Sequence, residues 1–278
     1  MARTMHIRLF VLMCSLFWGA GFVATAEETF DHRVRVLMAH AIVVKPEGPG
    51  PFPVVLQMHG CGGRKSFQKT WADVAREAGY AAIVVDSYAH RGISRLGAYS
   101  TVCTGARLWG RERAGDVYAA LAWARAQPWA DRRHMVVAGW SHGGWTALDA
   151  LALKPGAEMA SATGLRGLPE EPLDGVTGAF LVYPWCSFGC IARHKGLRYD
   201  AKPLALVGSK DAVVGSNSLR ATLEALAAPT QVRALWLDGA THAFDEPDAK
   251  DLRVRYNPEA VATAHAAYIG YLAEARAR

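Results

Sequence analysis

Three residues of this chain have the types and the order for nucleophilic attack on a carbonyl: Ser141, Asp211 and His242. Ser141 lies in Gly139-Trp140-Ser141-His142-Gly143, after the apolar run Met135 to Ala138 and ahead of the helix-like Trp145 to Leu153. A strand that ends in Gly-x-Ser-x-Gly and turns sharply into a helix holds the serine hydroxyl exposed on a strained backbone, and the glycines admit neighbouring backbone without a Cβ clash. The serine needs a base to take its proton, and imidazole is the side chain suited to that near neutral pH. A carboxylate behind the ring fixes its tautomer and stabilises the imidazolium. His242 follows the apolar Val232 to Leu237, and Asp211 follows Pro203 to Val207. Asp238 and Asp245 are rival acids, but they share the histidine's own segment, from which reaching behind its ring is harder.

Each residue alone has a plainer role. Gly-x-Ser-x-Gly arises by chance in a chain with 27 glycines, an Asp after a strand is usually a turn or cap, and a lone His is usually a polar contact. Together and in this order they point to acyl transfer. The tetrahedral oxyanion of such a reaction needs two N–H donors, one of them the amide just after the nucleophile, here His142. The glycine-rich His59-Gly60-Cys61-Gly62-Gly63, after the apolar Pro53 to Met58, offers the second at the Cys61 amide. That loop matches neither glycine-rich nucleotide fingerprint, and Cys61 as a nucleophile lacks a second His/acid pair.

Such groups must be carried on strand ends. Val34 to Met38, Ala41 to Val44, Pro53 to Met58, Ala81 to Val85, Met135 to Ala138, Ala179 to Tyr183, Pro203 to Val207 and Val232 to Leu237 read as strands. Ser66 to Ala78, Arg111 to Gln127, Ser218 to Ala227 and Pro258 to the C-terminus read as helices. Continuous apolar strands alternating with helices indicate a mainly parallel sheet covered on both faces, an α/β class, with sites at the carboxyl ends of the strands. Asp86 to Trp109 reads as a loop, and Lys154 to Gly178 as an excursion beside the site; both are candidate lids. No repeat or linker divides the chain, so a single domain over 27–278 is expected.

Residues 1–26 read as an export signal: Arg3 and Arg8, an apolar run Leu9 to Val23, and the small-x-small Ala24-Thr25-Ala26. An uncleaved membrane anchor is the alternative; with cleavage near Ala26 the protein is periplasmic or secreted and has no stable membrane partner. The net charge of +6 then falls by the two charges of Arg3 and Arg8, and the remaining basic residues are scattered among acids. No basic block with interleaved aromatics supports nucleic-acid binding. Cys61, Cys103, Cys186 and Cys190 remain, an even number that suggests disulfides in an exported protein; Cys61–Cys103 with Cys186–Cys190 is the preferred of three pairings. The His/Cys spacings match no zinc pattern beyond a weak echo in Cys186-x-x-x-Cys190 followed by His194, and no metal or organic cofactor is called for.

The chain resembles the dienelactone hydrolase family of the α/β-hydrolase fold over most of its length. The resemblance rests on His59-Gly60-Cys61-Gly62-Gly63, Val85-Asp86-Ser87-Tyr88 with Arg91-Gly92, Arg113 and Asp116, Gly139 to Gly144, Tyr183-Pro184, Gly208 with Asp211, and His242-Ala243-Phe244. It implies a triad of Ser141, Asp211 and His242, an oxyanion hole of the Cys61 and His142 amides, and a small-molecule ester or lactone substrate cleaved through an acyl-enzyme. Members that open dienelactone use cysteine at the elbow, so Ser141 resembles instead an exported, serine-bearing branch. The resemblance also places Arg91 where a substrate carboxylate would bind, a solvated or structural arginine being the other reading. Tyr88, Trp140 and Trp185, near strand ends, are candidate pocket walls, core packing being the alternative. A peptidase or amidase with the same triad, and a non-catalytic binding protein on the same fold, are the competing functions.

Overall fold

The structure, a computed structural model, describes residues 28–230 and 232–278. The export segment expected at 1–26 lies outside the described residues, and no helix among these is long and apolar enough to cross a membrane. The chain opens with the short strand β1 (Glu28–Thr29) and helix α1 (Phe30–Met38), followed by β2 (Ile42–Val44) and β3 (Phe52–Met58). Strands and helices then alternate through α2 (Phe67–Glu77), β4 (Ala81–Val85), the single turn α3 (Arg95–Gly97), α4 (Gly110–Arg125), β5 (Ala130–Trp140) and α5 (His142–Ala152). The rest is α6 (Ala157–Thr163), β6 (Leu165–Arg166), β7 (Val176–Val182), the turn α7 (Ala192–Lys195), β8 (Leu204–Gly208), α8 (Ser216–Thr230), β9 (Arg233–Leu237) and α9 (Pro258–Arg276).

Seven strands form one sheet in the order β2-β4-β3-β5-β7-β8-β9, parallel except for β2. Because successive strand residues face opposite sides, Val54 and Leu56 of β3 enter the core under α1, α4 and α5, while Val55 enters the core under α2 and α9. Val137 and its neighbours Val136 and Ala138 divide in the same way on β5. The chain leaves β3 toward β4 on one side and returns to β5 on the other, so the strand order reverses at β3. The crevice at this switch point, between the carboxyl ends of β3 and β5, is where open α/β sheets bind ligands. It receives the 59–63 loop and Ser141.

Three expected stretches differ. Val34 to Met38 is the end of helix α1 rather than a strand. Its β-branched Val34 and Val36 suggest a strand, but Thr29 caps the helix by accepting from the His32 N–H, and Phe30, Arg33 and Leu37 form a buried stripe at helical spacing. Lys154 to Gly178 does not stand beside the serine. It leaves from the far end of α5, forms α6 and β6, and lays Thr163 and Leu165 against Gly115 of α4. The 86–109 stretch is built rather than irregular: it holds turns at Ala89–Arg91 and Ala98–Val102, and a Cys61–Cys103 disulfide ties it to the 59–63 loop.

Candidate active site

Ser141 follows the last residue of β5 and adopts φ 52° and ψ −112°, a region a side chain enters only when its surroundings impose it. Those surroundings are visible. The Ser141 N–H donates to the Val182 carbonyl (2.9 Å), and its own carbonyl accepts from Trp145 and Trp185 (3.1 Å each). A Cβ on Gly143 would overlap the Met58 carbonyl, and one on Gly139 the Gly143 carbonyl, so the two glycines let α5 press onto the strand ends.

His242 connects the other two groups. Its Nε2 lies 3.0 Å from Ser141 Oγ and its Nδ1 2.8 Å from Asp211 Oδ2. Asp211 is 2% exposed, and its Oδ1 accepts the N–H groups of Val213 (2.9 Å) and Val214 (3.1 Å), so the carboxylate is held from both sides. An ionised Asp211 can only accept. The proton between it and the ring therefore sits on Nδ1, which leaves Nε2 as an acceptor for the serine O–H. Neither rival acid competes: Asp238 accepts from Ser209 Oγ, and Asp245 faces away into a cluster of aromatic donors.

The loop after β3 closes the other side. Gly60 packs on Ser141, a Cβ there standing 3.5 Å from the serine Cβ. Arg113, fully buried on α4, supports the loop from beneath, its Nη1 donating to the His59 carbonyl (2.7 Å) and its Nε to Ser87 Oγ (2.8 Å). The same Nη1 is 3.2 Å from His142 Nδ1. His59 gives its Nδ1 proton to the Gly60 carbonyl (2.7 Å) and accepts the Ser87 N–H at Nε2 (3.2 Å). Burial, then the Arg113 charge, holds the His59 ring well below its ordinary proton affinity and pushes His142 down to about 3, so both stay neutral. Tyr88 O–H donates to the Cys61 carbonyl (2.8 Å), and the disulfide holds Cys61 from outside. The backbone around the Cys61 amide is thus fixed on three sides.

Several substrate-side expectations need correction. Arg91 is not free to bind a carboxylate: its Nη1 and Nη2 lie 2.8 and 2.9 Å from the two oxygens of Asp116, and Nη1 also donates to the Ser87 carbonyl. Asp116 is shared with Arg33 of α1 (2.8 Å). Burial alone would raise the Asp116 carboxyl, but the guanidiniums of Arg91 and Arg33 hold it far below the usual carboxylate range. Trp140 is 1% exposed and belongs to the core under α2 and α9, the packing alternative for this residue. Tyr88 is likewise buried and serves the loop. Trp185, half-buried and joined through its N–H to the Ser141 carbonyl, remains beside the serine. Cys186 and Cys190 are bonded to each other, which removes both thiols from the weak metal echo.

Other groups at the site carry no short-range sequence signal. Lys65 pairs with Glu246 and donates to Tyr99 O–H (3.2 Å), joining three segments above Gly62. Arg113 was visible only as part of a family pattern, because its partners are backbone and ring atoms far apart in sequence.

The sheet order and the strand-to-helix serine turn define the α/β-hydrolase fold. The model of the dienelactone hydrolase family matches residues 39–276, and the chain belongs to that family, whose members are hydrolases acting on esters. Among solved structures, a Klebsiella pneumoniae protein assigned to the dienelactone hydrolases is similar at 20% identity and a TM-score of 0.62, over 84% of this chain and 92% of that one. Esterase 2 of Thermogutta terrifontis (16%, TM-score 0.58, 84% and 88%) and a dienelactone hydrolase of Anabaena variabilis (21%, TM-score 0.55, 84% and 90%) share the fold. No curated protein matches the chain.

Proposed function

We propose that the chain is a serine esterase that cleaves a small carboxylic ester or lactone through an acyl-enzyme. Ser141 Oγ attacks the carbonyl while His242 Nε2 takes its proton; the same proton passes to the leaving alcohol, and water then releases the acid by the reverse use of the ring. Asp211 holds the imidazole and stabilises its charged form. The amides of Cys61 and His142 receive the oxyanion. The reading rests above all on one observation: His242 lies within hydrogen-bond distance of both Ser141 and Asp211, at a serine held in a strained turn. In the same reading residues 27–278 work as one domain after an export signal is removed, and the two disulfides suit an oxidising compartment.

Esterase 2 of Thermogutta terrifontis has been solved phosphorylated by paraoxon and with propionate bound, which recommends short acyl esters as probes here. Turnover of p-nitrophenyl acetate and butyrate by the purified protein, lost in Ser141→Ala, is the expected result. Equal turnover by the variant would overturn the assignment.

A further inference from the structure

Behind the serine turn lies a buried carboxylate that the reaction itself does not use. Asp245 is 4% exposed and receives three hydrogen bonds, all from neutral groups: Trp71 Nε1 and Trp140 Nε1 to Oδ2 (2.9 Å each) and Tyr183 O–H to Oδ1 (2.6 Å). Each donor belongs to a different part of the frame. Trp140 is the residue before Ser141. Tyr183 is the first residue after β7, at φ 38°, and its ring rests against the His242 ring at 4.6 Å. Trp71 comes from α2, and Asp245 itself stands three residues after His242.

We infer that Asp245 is a positioning residue, whose carboxylate holds the Ser141 turn and the His242 loop at reacting distance by binding Trp140 and Tyr183 at once. The inference rests on the esterase reading above. Its physical basis is direct. A carboxylate accepts all three bonds without rotating, whereas a neutral amide or acid keeps the two indole bonds on one oxygen and must reverse the third, donating to the Tyr183 hydroxyl and turning its proton away, so the charge-assisted bond is lost. Movement of Tyr183 carries the His242 ring, and movement of Trp140 carries the serine.

The charge state of Asp245 then enters the pH profile. Burial pushes its carboxyl up to about 6, against the lowering effect of Tyr183, its own backbone N–H, Trp71 and Trp140. The other titratable or charged groups near it are His265 of α9, whose ring packs on Trp71, Tyr256, which lines the same shallow cleft, Glu246, which is tied to Lys65, and His242. Burial lowers the proton affinity of His265. Activity in acid therefore also requires Asp245 to have lost its proton.

The test compares wild type, Asp245→Asn and Tyr183→Phe, each checked by circular dichroism and melting, in turnover of p-nitrophenyl butyrate from pH 4.5 to 8. Expected for Asp245→Asn are a loss in kcat of about tenfold at pH 8, KM within about twofold, and an acid limb less steep than that of wild type. Tyr183→Phe keeps the ring on His242 and loses only the bond to Oδ1, with an expected loss of about threefold, and it decides the matter if Asp245→Asn does not fold. Unchanged kcat and an unchanged acid limb in a folded variant overturn the inference while the esterase reading stands. Wild type that never modifies Ser141 overturns both.

Discussion

Two buried aspartates flank the proposed site, and their surroundings are opposite. Asp116, on the side of the 59–63 loop, is bound by the guanidiniums of Arg91 and Arg33; Asp245, on the side of the serine turn, is bound by two indoles and a phenol. The first stays ionised far into acid and the second gains its proton below about 6. One residue type thus does two jobs. Full charges hold the Ser87 backbone, which in turn binds His59 of the loop proposed to offer the oxyanion donor, so that face is indifferent to pH across the useful range, while neutral donors hold the turn and the histidine loop, so that face loosens in acid.

The contrast is broken most severely at the relay both faces support. His242→Ala should lower kcat by roughly 10⁴-fold or more with little change in melting, because the remaining site keeps only oxyanion stabilisation and binding. Stopped-flow release of p-nitrophenol reads both the burst and the steady state.

On the charged face, Arg113→Met removes the donor under the His59 carbonyl and should cost about 10²-fold in kcat through a misplaced oxyanion loop. A loss confined to KM would show that the loop keeps its place without Arg113. Asp116→Asn leaves Arg91 and Arg33 buried against a neutral amide and should lower stability by about 3–5 kcal/mol in urea denaturation. Because the folded Asp116 carboxyl lies below its unfolded value, this stabilisation is present above about pH 4 and is lost only in stronger acid. In the same frame Arg91→Ala should reduce stability and lower turnover of neutral and carboxylated esters alike, which a selective loss on carboxylated esters would contradict.

The smallest effect concerns a third aspartate. Asp149 accepts the N–H groups of Ile191 (2.7 Å) and Ala192 (3.3 Å), and burial pushes it up to about 7. A carboxyl raised on folding costs stability as it ionises. The melting temperature of Asp149→Asn relative to wild type should therefore move in the variant's favour as pH rises from about 4 to about 7. A difference that stays flat would show that Asp149 ionises freely.

Much of this was legible before the structure. The proximity of Ser141, Asp211 and His242 is legible because each follows an apolar run that becomes a parallel strand, and the sheet brings strand ends together whatever lies between them. In α1 the valines favour a strand, but the Thr29 cap and the contact with α4 make it a helix. For Arg91 the sequence leaves a substrate-binding and a structural reading open, because its partner Asp116 lies 25 positions away. From sequence Asp245 stands out only as a rival acid, because nothing local shows that Trp71, Trp140 and Tyr183 converge on it. Strand-end positions follow from periodicity; the partners of a buried charge follow from three-dimensional packing.

The most direct measurement is reaction of the purified protein with a fluorophosphonate at pH 8, followed by peptide mapping. The expected result is a single phosphonyl adduct on Ser141, formed rapidly in wild type and at least 10³-fold more slowly in His242→Ala. A folded protein that forms no adduct, or forms it on another residue, would contradict the reading of Ser141 as an activated nucleophile.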